Sequence, residues 1–228
     1  MDLMGGQVVR ARRGERHAYQ PVASLLCDTS SPVAVARALF ELYAFDTLYI
    51  ADIDAIQQRG DHRKTIESLR SLLPDVEIWI DAGVTGIEDC QPWLSLDMCC
   101  VIGSESQPDA DATWRLIDRI GQEQAVLSLD SINGQPMGPA KLFTDVSRWP
   151  QRVIGMTLAR VGSRQGPDFE LLRHMQDSAD GRSIYAAGGV RNVSDMEKLK
   201  STGIAGALLA SALHDGEITS GHLVGLEK

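Results

Sequence analysis

The stretch TLYIADIDAIQQRGDHRKTIESLRSLLPDVEIWIDAG, residues 47–83, contains one strand–helix–strand unit. Its first and last segments, TLYIAD (47–52) and EIWIDAG (77–83), are almost continuously apolar, which is typical of strands buried on both faces of a parallel sheet. The segment between them, HRKTIESLRSLL (62–73), places its apolar residues at helical spacing. The stretch therefore predicts a β/α unit followed by the next parallel strand.

The same alternation continues on both sides of this unit. Five further apolar runs of strand length follow it: MCCVIG (98–103), AVLSLD (125–130), RVIGMTL (152–158), SIYAAGG (183–189) and GALLAS (206–211). Helical candidates separate the runs, and the first has Ser31 placed as the N-cap and Pro32 as the first helical residue. Seven strands and eight helices in alternation require an eighth strand, and only MDLM (1–4), followed by QVVRA (7–11), precedes Ser31.

We therefore predict an α/β protein with a (β/α)8 barrel, in which the first strand is truncated at the start of the chain. We expect a single domain over residues 1–228, and we expect several apolar residues to precede Met1 in the natural protein. Strand ends four strands apart resemble each other, so we also expect two similar halves, about 1–121 and 122–228.

Composition limits the classes of partner. The chain has 228 residues, of which 43% are hydrophobic and 23% charged, and its net charge of −9 argues against nucleic-acid binding. We found no apolar run long enough to span a membrane and no signal peptide, so we expect a cytoplasmic protein. The cysteines lack the spacing of ligands or disulfides, and we interpret them as core thiols: Cys27, Cys90, Cys99 and Cys100. We expect no metal and no cofactor.

Aspartates follow many of the predicted strands at the ends that converge on the mouth of a barrel. The residues in these positions are Asp2, Asp52 with Asp54, Asp81 and Asp130. Any one of them is compatible with a helix cap or a turn. Together, however, carboxylates in one cleft raise each other's pKa, and that suits proton transfer between an acid and a base.

The loops after the last two strands have the features of a phosphate site. Gly188 and Gly189 follow the seventh strand, and Ser211 follows the eighth. In barrels of this kind these loops supply backbone N–H groups to a phosphate. We therefore expect a phosphorylated small molecule as the substrate.

Five segments resemble the histidine-biosynthesis barrels, and among them most closely the isomerases of ProFAR, an aminoimidazole ribonucleotide with two phosphates. The segments are MDLMGGQVVRARRGE (1–15), DTSSPVAVARAL (28–39), LYIADIDAI (48–56), LSLDSINGQPMG (127–138) and AAGGVRNVSDMEKLKSTGIAGALLASAL (186–213). The resemblance implies an Amadori rearrangement, an aldose-to-ketose shift on a phosphorylated aminosugar, which two carboxylates perform without a cofactor. It implies Asp2 and Asp130 as the acid–base pair, in either order, and Thr157 as an assisting residue.

The same resemblance implies the residues that bind substrate. Its phosphate glycines fall on Gly188 and Gly189, its other phosphate turn falls on Gly103 and Ser104, and its acidic pair falls on Asp52 and Asp54. Gly83 and Ser211 occupy the corresponding strand ends. In addition, the basic loop RARRGERHAYQPV (10–22) is either a solvated surface loop or a lid that brings cations such as Arg16 over an anionic substrate.

The chain departs from the family pattern near both phosphate sites. Where the family has a glycine-rich run ending in arginine after the third strand, this chain has DAGVT (81–85). Ala210-Ser211 replaces a glycine and a basic residue, and Val161-Gly162 replaces an Asp-Gly pair. These changes and the basic loop resemble a branch of related proteins in methanogens and methylotrophs associated with one-carbon carriers, methanopterin or methanofuran. The alternatives to a ProFAR-type isomerase are thus an enzyme for another phosphorylated substrate of that metabolism, or a non-catalytic barrel that binds a phosphorylated ligand.

Overall fold

The computed structural model describes residues 1–226 and contains one sheet, in which eight parallel strands pair in chain order. The strands are β1 (Asp2–Met4), β2 (Thr47–Asp52), β3 (Glu77–Asp81), β4 (Cys99–Gly103), β5 (Ala125–Ile132), β6 (Arg152–Thr157), β7 (Ser183–Ala187) and β8 (Gly206–Leu208). A helix follows each strand: α1 (Pro32–Leu42), α2 (Arg63–Leu72), α3 (Ile87–Leu94), α4 (Ala110–Ile120), α5 (Ala140–Thr144), α6 (Phe169–Ser178), α7 (Val193–Ser201) and α8 (Ser220–Leu226). This order confirms the predicted α/β architecture of a (β/α)8 barrel.

Short strands and helical turns lie beside the ends of the eight barrel strands. Gln7–Arg10 returns antiparallel to β1 and pairs in turn with Gln20–Pro21, and Gln135–Pro136 pairs with the end of β5. Single helical turns lie after β2 and β8, at Ile53–Ile56 and Ser211–His214. Turns of 3-10 helix occupy Arg16–Ala18, Ser104–Ser106, Val146–Arg148 and Leu158–Arg160. Within residues 1–226, no helix combines the length and the apolar character needed to cross a membrane.

Polar contacts join the two ends of the sheet, β8 and β1. The backbone N–H of Leu25 donates to the carbonyl of His214 at 2.8 Å, and Ser24 Oγ lies 2.9 Å from the Nδ1 atom of the same histidine. Arg10, at the end of the return strand, pairs with Asp215 just beyond that helical turn. The segment after β1 therefore attaches to the loop after β8.

The barrel interior holds a small apolar cluster around Trp79, which is 1% exposed. Tyr185 packs edge-on against its indole ring, with the ring centroids 4.8 Å apart. Below this cluster, Arg152 pairs with Glu77 at 3.0 Å and stacks over the indole at 5.8 Å from its centroid. An interior filled in this way is a packed core, so the chemistry is confined to the mouth at the carboxyl ends of the strands.

Two catalytic candidates occupy different strand positions from those that the sequence predicted. Asp2 is the first residue of β1 and not its last, but it pairs with Ala51 and so lies level with the carboxyl end of β2. Asp130 lies inside β5, because the strand continues to Ile132 and turns through Asn133 and Gly134 into a short hairpin. Both residues nevertheless remain at the mouth.

Other boundaries also moved. β3, β7 and β8 end earlier than predicted, so Gly83, Gly188, Gly189 and Ser211 lie in the following loops or helical turn. The QVVRA run is the return strand of a hairpin. Three cysteines are buried free thiols as predicted, whereas Cys27 is only partly buried and lies in a loop.

Replacing Trp79 by alanine is expected to remove the largest side chain of the barrel interior. Such a truncation leaves a cavity and lowers the free energy of unfolding by about 3–5 kcal/mol. Urea denaturation followed by circular dichroism measures the change. Leu25→Ala is the control, because Leu25 is 78% exposed and its truncation should change stability by less than about 0.5 kcal/mol. A loss below about 1 kcal/mol for Trp79→Ala would contradict a packed interior.

Candidate active site

A cavity of about 380 Å³ reaches the carboxyl ends of the strands, and its lining also includes Thr47, the first residue of β2, and Phe40 of α1. Residues from all around the barrel line it. They include Asp2, Arg10, Arg16, Tyr19, Tyr49, Asp81, Glu105, Asp130, Arg164, Gly188, Gly189, Arg191 and Ser211. The lining combines carboxylates, phenols, guanidinium groups and glycine backbone. Such a set is suited to binding a polar small molecule and to moving its protons.

Asp130 lies at the base of this cavity and is 5% exposed. Its Oδ1 atom accepts a hydrogen bond from Ser128 Oγ at 2.7 Å, and its Oδ2 atom accepts from Ser104 Oγ and from the backbone N–H of Glu105, both at 3.2 Å. The same Ser104 hydroxyl accepts the backbone N–H of Asp130 at 2.8 Å. Two neighbouring strands therefore hold this carboxyl group in one orientation.

The environment of Asp130 favours its protonated form. Burial raises the pKa of Asp130 to about 7, the hydrogen bond from Ser128 opposes this rise, and the charges of Asp81 and Glu105 add to it. A carboxyl group with a pKa near neutrality can act as a general acid or a general base.

Asp81, at the end of β3, lies beside Asp130, and both carboxylates approach Gly103 of β4. A Cβ atom placed on Gly103 would lie 3.4 Å from Asp130 Oδ2 and 3.7 Å from Asp81 Oδ2. The two groups thus flank the same glycine of β4. Burial raises the pKa of Asp81 to about 6, while hydrogen bonds from the backbone of Gly83 and the hydroxyl of Tyr49 lower it. The mouth therefore holds two carboxyl groups that titrate close to neutral pH.

Tyr49 projects from the barrel interior among the carboxylates. Its hydroxyl donates to Asp81 Oδ2 at 3.1 Å. Burial raises the pKa of Tyr49 well above its ordinary value, and the charges of Asp81, Asp2 and Asp130 raise it further. The phenol therefore stays protonated, and it lies within electrostatic reach of all three carboxyl groups.

Asp2 reaches the cavity from β1, four strands away from Asp130 on β5. Because the strands are arranged in order around a barrel, the two residues lie on opposite sides of the mouth. Burial raises the pKa of Asp2 as well. Asp2 thus faces Asp130 across the mouth, with Asp81 on the same side as Asp130.

The loop after β1 covers part of the mouth. Arg16 forms an ion pair with Glu105 in the loop after β4, and Tyr19 is buried beside them. Burial and the charge of Asp2 raise the pKa of Tyr19 to about 12, although the charge of Arg16 opposes this rise. The backbone N–H of Arg13 also donates to the carbonyl of Val161 at 2.9 Å. Arg16 and Tyr19 of the basic loop therefore cover part of the cavity, whereas Arg12, Arg13 and His17 are exposed to solvent.

Asp52 and Asp54, expected in the substrate site, are used structurally and do not line the cavity. Asp52 is fully buried; its Oδ1 atom accepts from His62 Nδ1 at 2.8 Å and its Oδ2 atom from the backbone N–H of His62 at 2.7 Å. His62 Nε2 accepts the N–H of Gly6 at 2.8 Å, so the proton of the neutral ring is assigned to Nδ1. Asp54 accepts the N–H of Gly5 at 2.7 Å. These side chains fix the β1 hairpin turn to the loop after β2.

The opposite end of the cavity contains the glycine pair predicted to bind phosphate. Gly188 and Gly189 both have positive φ, at 98° and 87°. A Cβ atom on Gly189 would lie 2.3 Å from the carbonyl oxygen of Gly166, so no other residue fits there without movement. Ser211 lines the same end, together with three arginines: Arg10, Arg164 and Arg191.

The remaining predicted residues lie behind the cavity lining. Gly103 and Ser104 contact Asp130 and are not part of the lining, and Gly83 donates its backbone N–H to Asp81 at 3.2 Å. Thr157 is buried at the end of β6, where its neighbours Met156 and Leu158 line the cavity instead. In the described part of the chain, no group of three or more His, Cys, Asp or Glu residues is arranged to hold a metal ion.

Comparison with known proteins assigns the chain to a family. The model of the histidine biosynthesis protein family matches residues 1–219. The chain belongs to the histidine biosynthesis family. Family relatives include an uncharacterized protein of Methanocaldococcus jannaschii, 27% identical over 95% of this chain and 92% of its own length.

Other relatives are named as phosphoribosyl imidazole-4-carboxamide isomerases, and the substrate in that name contains two 5-phosphoribosyl groups. The protein of Syntrophomonas wolfei is 29% identical over 96% of this chain and 92% of its own length. The protein of Alkaliphilus metalliredigens is 25% identical over 100% of this chain and 97% of its own length. Similarity therefore extends over the whole barrel of these family members.

Sequence reasoning missed Tyr49 and Glu105 as lining residues of the cavity, and His62 as the residue that holds the β1 hairpin turn. A signal for Tyr49 was present, because a phenol at an inward position of a barrel strand needs a polar partner. Glu105 and His62 lie in loops, and their positions depend on loop conformation that apolar periodicity does not encode.

Asp130→Asn is expected to stabilise the protein at alkaline pH. Because burial raises its pKa from 3.8 to about 7, the contribution of Asp130 to stability is complete below pH 3.8 and is lost as pH rises through 7. The variant does not titrate, so between pH 5 and pH 8 its free energy of unfolding should gain roughly 1–3 kcal/mol relative to the wild type. Urea denaturation at both pH values measures this gain. The control is Asp75→Asn at an exposed turn. An equal dependence of unfolding free energy on pH in the wild type and in Asp130→Asn would contradict the raised pKa of Asp130.

Proposed function

We propose that the protein is a cofactor-independent isomerase that converts a phosphorylated aminoaldose into the corresponding ketose. The observation that carries this proposal is the buried Asp130, with a pKa of about 7, on the opposite side of the cavity from Asp2. An aldose–ketose shift needs an acid on one side of the sugar and a base on the other. The family relatives named as isomerases support the same class of reaction.

In the proposed mechanism, Asp130 is the general acid and Asp2 is the general base. Asp130 donates its proton to the ring oxygen, which opens the sugar as the C1–O bond breaks and leaves a C1=N iminium. The carboxylate of Asp2 then removes the proton from C2, and the electron pair of that C–H bond forms an enaminol, which tautomerises to the ketose. Ser104 and Ser128 position Asp130 through their hydroxyl groups. Thr157 lies behind the lining, so we assign it no contact with substrate.

We further propose that the glycine pair end of the cavity binds a phosphate group. Gly188, Gly189 and Ser211 present backbone at this end, and Arg164 and Arg191 supply guanidinium donors. Guanidinium groups bind phosphate oxygens in bidentate fashion.

Two substrates are compatible with this chemistry. One is the compound with two phosphoribosyl groups that appears in the names of the relatives. The other is a different phosphorylated aminosugar, such as an intermediate of one-carbon carrier synthesis, and the carboxylate of Asp81 at the β3 side of the mouth favours it.

A turnover assay tests the isomerase proposal. The purified chain is incubated with ProFAR, and the reaction is followed by its change in ultraviolet absorbance. A separate reaction uses an N-aryl ribosylamine 5-phosphate, which carries one phosphate. Turnover of either compound supports the isomerase. A folded protein that converts neither compound contradicts it and favours a barrel that only binds a phosphorylated ligand.

Asp130→Asn is expected to lower kcat on the accepted substrate by about 10²–10⁴-fold, because general acid catalysis is lost while the amide keeps the shape of the side chain. Circular dichroism checks that the variant is folded. Asp75→Asn makes the same substitution outside the cavity and should retain the wild-type kcat. Retained turnover in Asp130→Asn would disprove its role as the acid.

A further inference from the structure

The two ends of the cavity differ in charge. At the β3–β5 end, the carboxyl groups of Asp81, Glu105 and Asp130 line the wall, and Asp2 faces them from β1. The cation that contacts this group is Arg16, and its guanidinium is already paired with Glu105. This end therefore presents hydrogen-bond acceptors, with more negative than positive groups.

The β6–β8 end presents cations. Arg10 and Arg164 converge on one carboxylate, Asp215, and Arg164 Nη2 donates to its Oδ2 atom at 2.8 Å. Arg191 forms a two-point pair with Asp195, at 2.8 and 2.7 Å. Glu217 is exposed at this end, so the charges here are approximately balanced. Each guanidinium has five N–H donors, and those not used by the aspartates remain available to an anion.

We infer that the substrate of this site carries a single phosphate group, bound at the β6–β8 end, and presents hydroxyl or ammonium donors to the carboxylates at the β3–β5 end. This inference rests on the proposed isomerase and specifies the class of its substrate. A second phosphate at the β3–β5 end would face Asp81 and Glu105 beside one guanidinium, that of Arg16, whereas three guanidinium groups line the β6–β8 end.

Asp81 is the residue that determines this specificity. Its carboxylate is fixed by the Tyr49 hydroxyl at 3.1 Å and by the Gly83 N–H at 3.2 Å, so it does not turn away from an approaching anion without losing both bonds. Two like charges about 4 Å apart repel with an energy that corresponds to about a fivefold loss of affinity in bulk water and about a thousandfold loss near a protein surface, so a change of about tenfold is a conservative expectation. A neutral side chain at this position should therefore admit a second phosphate.

The named relatives give the contrast that makes this inference testable. The substrate for which they are named has two phosphoribosyl groups, and therefore two phosphates. The chain described here is 25–29% identical to them, which leaves room for a change of specificity within the same fold.

Calorimetric titration of the full chain measures the preference without requiring turnover. The probes are ribose 5-phosphate, with one phosphate, and ribulose 1,5-bisphosphate, with two. The titrations are made at pH 8, above the pKa of about 6 of Asp81. We expect the wild type to bind the bisphosphate no more tightly than the monophosphate. In Asp81→Asn, the affinity for the bisphosphate should rise about tenfold, while that for the monophosphate changes less than about threefold.

Matched variants complete the experiment. Asp75→Asn removes one negative charge outside the cavity and should change neither affinity. Asp81→Ser is the second neutral variant and should reproduce the effect of Asp81→Asn if the asparagine disturbs folding. Arg164→Ala should weaken binding of both probes, because it removes a donor from the end that holds the phosphate.

Three outcomes overturn the inference: a wild type that binds the bisphosphate more than about tenfold tighter than the monophosphate, neutral variants that change both affinities equally, or a wild type that binds neither probe. These outcomes are distinct from failure of the isomerase proposal. A protein with the expected binding preference that converts no aminosugar contradicts the reaction and leaves the substrate class intact.

Discussion

Consecutive parallel pairing of eight strands is the constraint on which the site depends. It places the carboxyl ends of all strands at one mouth, so residues far apart in the chain become neighbours there. Asp130 of β5 and Ser104 beyond β4 meet through this pairing, and their hydrogen bonds hold the carboxyl group in a buried position. Burial in turn sets its proton affinity. A change in strand order would therefore separate these residues even if every side chain were retained.

Hydrophobic periodicity was sufficient to predict the strands and helices of the barrel. Strands buried on both faces appear in the sequence as continuous apolar runs, and the helices as apolar residues at helical spacing. Asp130 and Gly188 could be placed at the mouth for the same reason. Asp52 and Asp54 lie outside the cavity lining, because an aspartate after a strand binds a turn as readily as a ligand, and here their partners are His62 and Gly5. The two-half organisation of the chain stays a prediction.

The mouth combines groups that are unfavourable for folding with groups that hold them in place. Buried carboxyl groups reduce stability when ionised, and Asp81 and Asp130 share one neighbourhood. Tyr49 and the serine hydroxyls compensate by donating hydrogen bonds, and the apolar barrel interior below supplies the stability that the mouth lacks. Rigid walls below and unfavourable charge above are typical of a site organised for chemistry rather than for stability.

His62 and Asp54 hold the β1 hairpin, so the position of Asp2 depends on residues that are not part of the cavity wall. The glycine N–H groups of the turn are held by Asp54 and His62, two side chains of the loop after β2 that do not line the cavity. Inherited variation in that loop can thus displace a catalytic carboxylate by small distances while every lining residue is retained. Family members with identical cavity walls can in this way diverge in rate, and comparison of wall residues alone would overlook the cause.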